Sequence, residues 1–280
     1  MTPQDGIVEA RRQARNLHRR FGVESVQHVD VHAFADRLNV QIVDAPLEGA
    51  AAQLVVNRRR ARILLSSQLR DPARRRMAIA HELAHYVLAH PSPTVAELCD
   101  STFHHSRVDA SGRDFEGEAH GFALELLTPA SDVDAFCRAR DPDLILCAQL
   151  AISAWVPIEH AAIRIAERSE RICAAVLSTS AGITWVVPSR RFLGEFGTSQ
   201  ALKLRQGLPV DPRTLAWQIL DRAAPHGPAE VVAEAWLGTP GPPLFEQSAP
   251  VAQDGGVLTM LCAQQLERAL VAASNHATRS

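Results

Sequence analysis

The pattern of apolar residues predicts an α+β chain. Three observations carry that reading. Ile7, Ala10, Ala14, Leu17 and Phe21 recur at helical spacing, and "DPARRRMAIAHELAHYVLAH" and "DFEGEAHGFALELLTP" are helical in the same way. Short β-branched or apolar runs, "VQIVDA", "AAQLVV" and "ARILLSS", read as strands, the last two forming a hairpin around "NRRR". After Arg171 the composition changes, and "ICAAVLSTSAGITWVVPS" reads as a second hairpin turning at Ala181-Gly182.

Taken in order, the first helix spans about residues 6–21, with its arginines mostly off the apolar stripe. "DVHAFADRLN" follows as a short helix with Asp30 as N-cap. Then come the strand and the hairpin. Asp71 caps the next helix, Pro72 occupies its first turn, and "HPSP" stops it. Residues 91–113 are polar and irregular, the kind of long connection that is usually functional or mobile. A helix with Phe115, Ala119, Phe122 and Leu126 on one stripe ends before Pro129. "DLILCAQLAISAWVPIEHAAIRIAERSER" reads as two helices broken at Trp155-Val156-Pro157. Beyond the second hairpin, helical pieces such as "DPRTLAWQILDRA" mix with Pro/Gly-rich loops.

Composition narrows the class. The chain is 280 residues long, 46% hydrophobic and 21% charged, with a formal net charge of −2. That balance argues against a strongly electrostatic nucleic-acid binder. No apolar run approaches the ~20 residues of a membrane helix, and no signal-peptide core opens the chain, so the expected address is the cytoplasm. Five scattered cysteines with no CxxC pair suggest buried small hydrophobes rather than a zinc ribbon or a disulfide framework.

His81-Glu82-Leu83-Ala84-His85 is an HExxH motif. Residues four apart share a helix face, so two imidazoles can meet one metal ion. Glu82 lies about 100° around the helix from His81, beside such a metal, where a general base for a metal-bound water belongs. The competing reading is a core helix that contains histidines by chance. The apolar neighbours Ile79, Leu83, Tyr86 and Val87 count against it, because an unpaired polar cluster on a buried helix is costly. A catalytic zinc site needs a third protein ligand. Glu116 and His120 share a face of the downstream helix, which suits a carboxylate ligand and a group that orients it; Glu118 is the alternative ligand. His104 and His105 are candidates for oxyanion stabilisation, and His90 reads as a charge at the C-terminal end of its helix.

The two segments "RRRMAIAHELAHYVLAH" and "EGEAHGFALELLTP" together resemble the ImmA/IrrE family of metallopeptidases, over about residues 25–130. The resemblance implies a zincin-like domain of the gluzincin type, with a small β-hairpin or sheet and active-site helices. It implies His81, His85 and Glu116 as zinc ligands, with manganese the alternative metal, and Glu82 as the base. His120 stands where the family usually has Asn or Asp, and Thr128 where Met is usual. The implied substrate is a helix-turn-helix transcriptional repressor, cleaved to release stress or mobile-element genes.

The expected parts are a zincin-like metallopeptidase domain at 1–135, a helical, helix-turn-helix-like segment at 136–171, and an accessory α+β domain of unknown role at 172–280. The helix after Pro157 carries Glu159, Arg164, Glu167, Arg168, Glu170 and Arg171. Mixed signs favour packing or partner docking over DNA contact. The alternative to the peptidase is a DNA- or partner-binding regulator whose metal site is structural or vestigial.

Overall fold

A computed structural model describes residues 2–57, 60–91, 112–138, 140–201, 207–222, 227–251 and 255–263. Cys99, His104 and His105 lie outside the described residues. The chain divides into two compact units: Met1–Asp132 with Ala151–Pro157, and Val133–Leu150 with Ile158–Ser280. The fold is mixed α+β, as the apolar pattern predicts.

The first unit opens with α1 (Pro3–Phe21). Thr2 and Asp5 close a reciprocal capping box, and Gly22 ends the helix in the left-handed region at φ 68°. Next come α2 (Val31–Arg37), capped by Asp30, and the strand β1 (Val40–Ala45). The hairpin β2 (Ala52–Asn57) and β3 (Arg60–Ser66) follows. The sheet order is β1-β3-β2, with β3 parallel to β1 and antiparallel to β2. Leu54, Ile63 and Leu65 are buried.

The helix α3 spans Pro72–Val87. Asp71 accepts from the Ala73 and Arg74 amides at 2.8 and 3.2 Å, satisfying two of the donors a helix start leaves unpaired. The arginines in its first turns are anchors. Arg75 reaches Asp44 on β1 at 2.6 Å, and Arg76 donates to the Val29, Ala154 and Trp155 carbonyls at 3.0–3.3 Å. The helix α4 (Phe115–Leu127) starts at Asp114, which accepts from the Gly117 amide at 2.9 Å. Helix α1 packs closely on α4, because Gly121 has no side chain: a Cβ there would stand 2.8 Å from Ile7 Cγ2. His18 ties the same pair from its buried ring, Nε2 donating to the Leu126 carbonyl at 2.8 Å.

α5 (Ala130–Arg138) and α6 (Leu144–Ala154) come next. The chain then turns at Trp155, whose φ is 52°, and enters α7 (Ile158–Arg168) after a bend of 113°. No single helix among the described residues is long and apolar enough to cross a membrane.

The second unit is built on a five-stranded sheet. β4 (Cys173–Thr179) and β5 (Gly182–Pro188) form the expected hairpin. α8 (Arg190–Ala201) breaks at Gly197, and α9 (Leu215–Arg222) precedes β6 (Ala229–Val231) and α10 (Ala233–Leu237). β7 (Leu244–Pro250) and β8 (Val257–Cys262) complete the order β5-β4-β8-β7-β6, antiparallel throughout. Ile172, Val176, Phe192, Trp236, Leu244 and Leu261 belong to its core. Cys147, Cys173 and Cys262 are buried, as expected of small hydrophobes, and Cys137 is half-buried.

Candidate metal centre

Helices α3 and α4 pack against each other and bring three side chains to one point. His81 and His85, one turn apart on α3, face each other through their Nε2 atoms at 3.1 Å. Glu116, in the first turn of α4, places Oε2 3.1 Å from His81 Nε2 and Oε1 3.5 Å from His85 Nε2. The three donor atoms lie within 4.8 Å of one another. The donors of a tetrahedral zinc ion with Zn–N near 2.0–2.1 Å stand about 3.3 Å apart, so two nitrogens and a carboxylate with these separations fit such an ion.

The electrostatics of the trio are uneven. Burial opposes charge on His81, and Glu116 and Glu82 outweigh it, so its pKa is raised. Burial, then the neighbouring His81, pushes His85 down to about 3. Burial works against ionisation of Glu116, but the facing histidines overcome it and hold its carboxyl down at about 2. The site is most open at Glu116, whose side chain is 38% exposed against 6% for His85. Glu116 is thus the member of the trio most accessible to solvent.

Glu82 is buried on α3, next to His81 in sequence. His120 is half-buried on α4, one turn past Glu116. Glu118 does not join the trio. It is buried and accepts from Arg113 Nε and Nη2 at 3.1 and 2.5 Å, and from His90 Nε2 at 3.1 Å. Arg113 and His90 outweigh the effect of burial and keep the Glu118 carboxyl below the usual range.

His90 differs from its sequence reading as a charge at the C-terminal end of its helix. It is buried, and its Nδ1 lies 2.9 Å from His85 Nδ1. Backbone geometry takes it there. Ala89 adopts φ 52°, the Ala89 amide donates to Tyr86 O, and the His90 amide donates to His85 O at 3.0 Å. That is a Schellman turn with alanine in the position glycine usually takes. It folds the chain back so that the His90 ring covers His85. Phe115 packs on the His90 ring at 4.8 Å, with the Arg113 guanidinium 4.7 Å from the Phe115 ring. Spacing alone could not reveal this cluster, because His90 is five residues from His85 and reaches it only through the left-handed turn.

An α+β domain that joins two histidines of one helix to a glutamate of the next has the His2Glu donor set that zinc peptidases use. Residues 35–166 match the family model of the IrrE N-terminal-like domain, Peptidase_M78. A solved structure described as a Mycobacterium tuberculosis transcriptional regulator has a similar fold, with a TM-score of 0.53 and 15% identity over 91% of this chain and 87% of that one. No curated protein matches the sequence.

Proposed function

We propose that this chain is a zinc-dependent endopeptidase of the ImmA/IrrE type that cleaves a helix-turn-helix transcriptional repressor. The observation that carries the reading is the convergence of His81, His85 and Glu116 within a peptidase-family domain. In this reading those three residues hold the metal, with manganese the alternative to zinc, and His120 orients Glu116. When bound, the metal supplies Lewis acidity and lowers the pKa of a water. Glu82 takes the proton from the attacking water and returns it to the leaving amine. An extended peptide would enter past Glu116, the most accessible of the three ligands.

The substrate class rests on the family resemblance, and the proposed setting is the cytoplasm. The division into a peptidase domain at 1–135, a helical segment at 136–171 and an accessory domain at 172–280 belongs to the same proposal. The alternative is a DNA- or partner-binding regulator with a structural or vestigial metal site, and its DNA-binding form has less support from α7 and the Arg171 that follows it. Arg164 is 1% exposed and pairs with Glu167, Arg168 is held by both oxygens of Asp134 at 2.7 Å, and Arg171 pairs with Asp141. These guanidinium groups are engaged with carboxylates of their own chain.

The test compares Glu82→Gln and Glu116→Ala with the wild type. Glu82→Gln is expected to retain metal and lose cleavage of a co-expressed repressor by about 10²–10⁴-fold, the usual contribution of a positioned base. Glu116→Ala is expected to lose metal. Cleavage retained by Glu82→Gln would exclude its assigned role, and unchanged metal content in Glu116→Ala would exclude the ligand.

A further inference from the structure

We infer that His90 is a positioning residue for the metal site, fixing the His85 ring with its Nε2 lone pair toward the metal, and that Arg113 and Glu118 set the direction of this relay. The inference rests on the metal-site reading above. Four groups stand in line. Arg113 donates two hydrogen bonds to the Glu118 carboxylate at 3.1 and 2.5 Å. Glu118 Oε2 faces His90 Nε2 at 3.1 Å, and His90 Nδ1 faces His85 Nδ1 at 2.9 Å. The side chains of His90 and Glu118 are 1% and 3% exposed.

The proton positions follow from one end to the other. A carboxylate that accepts from a guanidinium has only lone pairs to offer, so the facing His90 Nε2 must carry a proton and donate. A neutral imidazole has one N–H, which leaves His90 Nδ1 as an acceptor. The opposing His85 Nδ1 must then be the donor. The remaining His85 nitrogen, Nε2, carries the lone pair, and it is the atom 3.1 Å from His81 Nε2 and 3.5 Å from Glu116. The opposite tautomer of His90 would set a ring lone pair against the Glu118 carboxylate. The relay therefore selects the His85 tautomer that can ligate and holds its ring plane from behind. Groups that orient a ligating histidine in this way typically change metal affinity by about 10–100-fold when removed.

The experiment uses the full chain. Zinc affinity is measured by competition with a chromophoric chelator, and the cobalt-substituted protein is followed by its visible absorption. His90→Leu is expected to weaken zinc binding by about 10–100-fold and to alter the cobalt bands. His90→Asn keeps an acceptor oxygen near the Nδ1 position and is expected to restore most of the affinity. Wild-type affinity in His90→Leu, with His85→Ala losing the metal, would overturn the relay and leave the metal site standing. An Asn variant as weak as the Leu variant would also overturn the acceptor role. Metal retained by both His85→Ala and Glu116→Ala would remove the site reading and the relay with it. Should His90→Leu fail to fold, nitrogen NMR of the zinc-loaded wild type decides the matter. The expected signature is a proton on Nδ1 of His85 and on Nε2 of His90; a proton on His90 Nδ1 would refute the relay.

Discussion

Gly6 of α1 faces Glu118 of α4 so closely that a Cβ at Gly6 would stand 2.4 Å from the carboxylate oxygen Oε1. Glu118 cannot swing aside cheaply, since Arg113 and His90 both hold it. The first helix thus closes the back of the candidate metal centre, and a residue more than a hundred positions away in sequence depends on the absence of a side chain.

Gly6→Ala gains helix propensity but forces this contact apart. The expected net effect is a loss of about 1–2 kcal/mol, the usual cost of overpacking offset by the better helix former. Gly121→Ala, which meets Ile7 rather than the relay, serves as the control. Both variants should unfold earlier in urea, and only Gly6→Ala should also weaken zinc binding. Equal zinc affinities in the two variants would show that the Gly6 contact is packing alone.

Ala89 holds a left-handed conformation that costs a non-glycine residue roughly 1–2 kcal/mol. Ala89→Gly relieves that strain and adds freedom to the unfolded chain. The expected result is a stabilisation of about 0.5 kcal/mol, with zinc affinity unchanged. Ala89→Val should destabilise and weaken zinc binding, because a β-branched residue resists the turn that carries His90 over His85. Thermal unfolding reads both, and a Gly variant that melts below the wild type would contradict the strain argument.

Arg76 donates to three carbonyls, two of them at the end of α6. Arg76→Met keeps the aliphatic stem and removes the donors. Carbonyls that lose their partners cost about 1–3 kcal/mol, so a stability loss of about 2 kcal/mol is expected from urea unfolding. A loss below about 0.5 kcal/mol would show that water replaces the guanidinium without penalty.

Burial lowers the pKa of His18, although its hydrogen bond to the Leu126 carbonyl and the nearby Glu125 and Asp132 pull the other way. Its folded value is therefore below the ordinary value of about 6.5. Below that pH the unfolded chain binds a proton that the folded chain resists, so stability falls as the pH drops through this window and is recovered above it. His18→Gln keeps a donor for Leu126 and removes the titration. Urea unfolding at about pH 5.5 and 7.5 should show a smaller difference for the variant than for the wild type; equal differences would exclude His18 as a contributor.

Much of the fold could be read directly from residue patterns. β1 occupies the "VQIVDA" run, α3 begins at the Asp71-Pro72 signal, and the two hairpins pair on either side of "NRRR" and of Ala181-Gly182. The strands β6, β7 and β8 and the helices α5, α8 and α10 escaped that reading. β7 buries Leu244, Glu246 and Ser248 on one face, so its alternation places polar residues inward. Glu246 is accommodated there by the Trp236 Nε1 donor at 2.9 Å, the Ala216 amide at 2.8 Å and the Ser248 hydroxyl at 2.8 Å. Hydrophobic periodicity has no means of finding a strand whose buried face is satisfied by hydrogen bonds. β8 is buried at every position, its one polar residue Thr259 included, so it offers no alternation for periodicity to find.

The candidate centre divides in the same manner. Sequence by itself determined that His81 and His85 share a helix face with Glu82 beside them, because four residues make about one turn whatever the surroundings. It also narrowed the third donor to the first turn of the next helix. Only the tertiary structure decided that Glu116 faces the histidines while Glu118 turns to Arg113 and His90. The two glutamates are two residues apart on one helix, so their roles depend on which side of α4 meets α3 and which meets α1. That choice is made by packing, through the bare backbones of Gly6 and Gly121 and the left-handed turn at Ala89, and none of these is visible in a spacing rule.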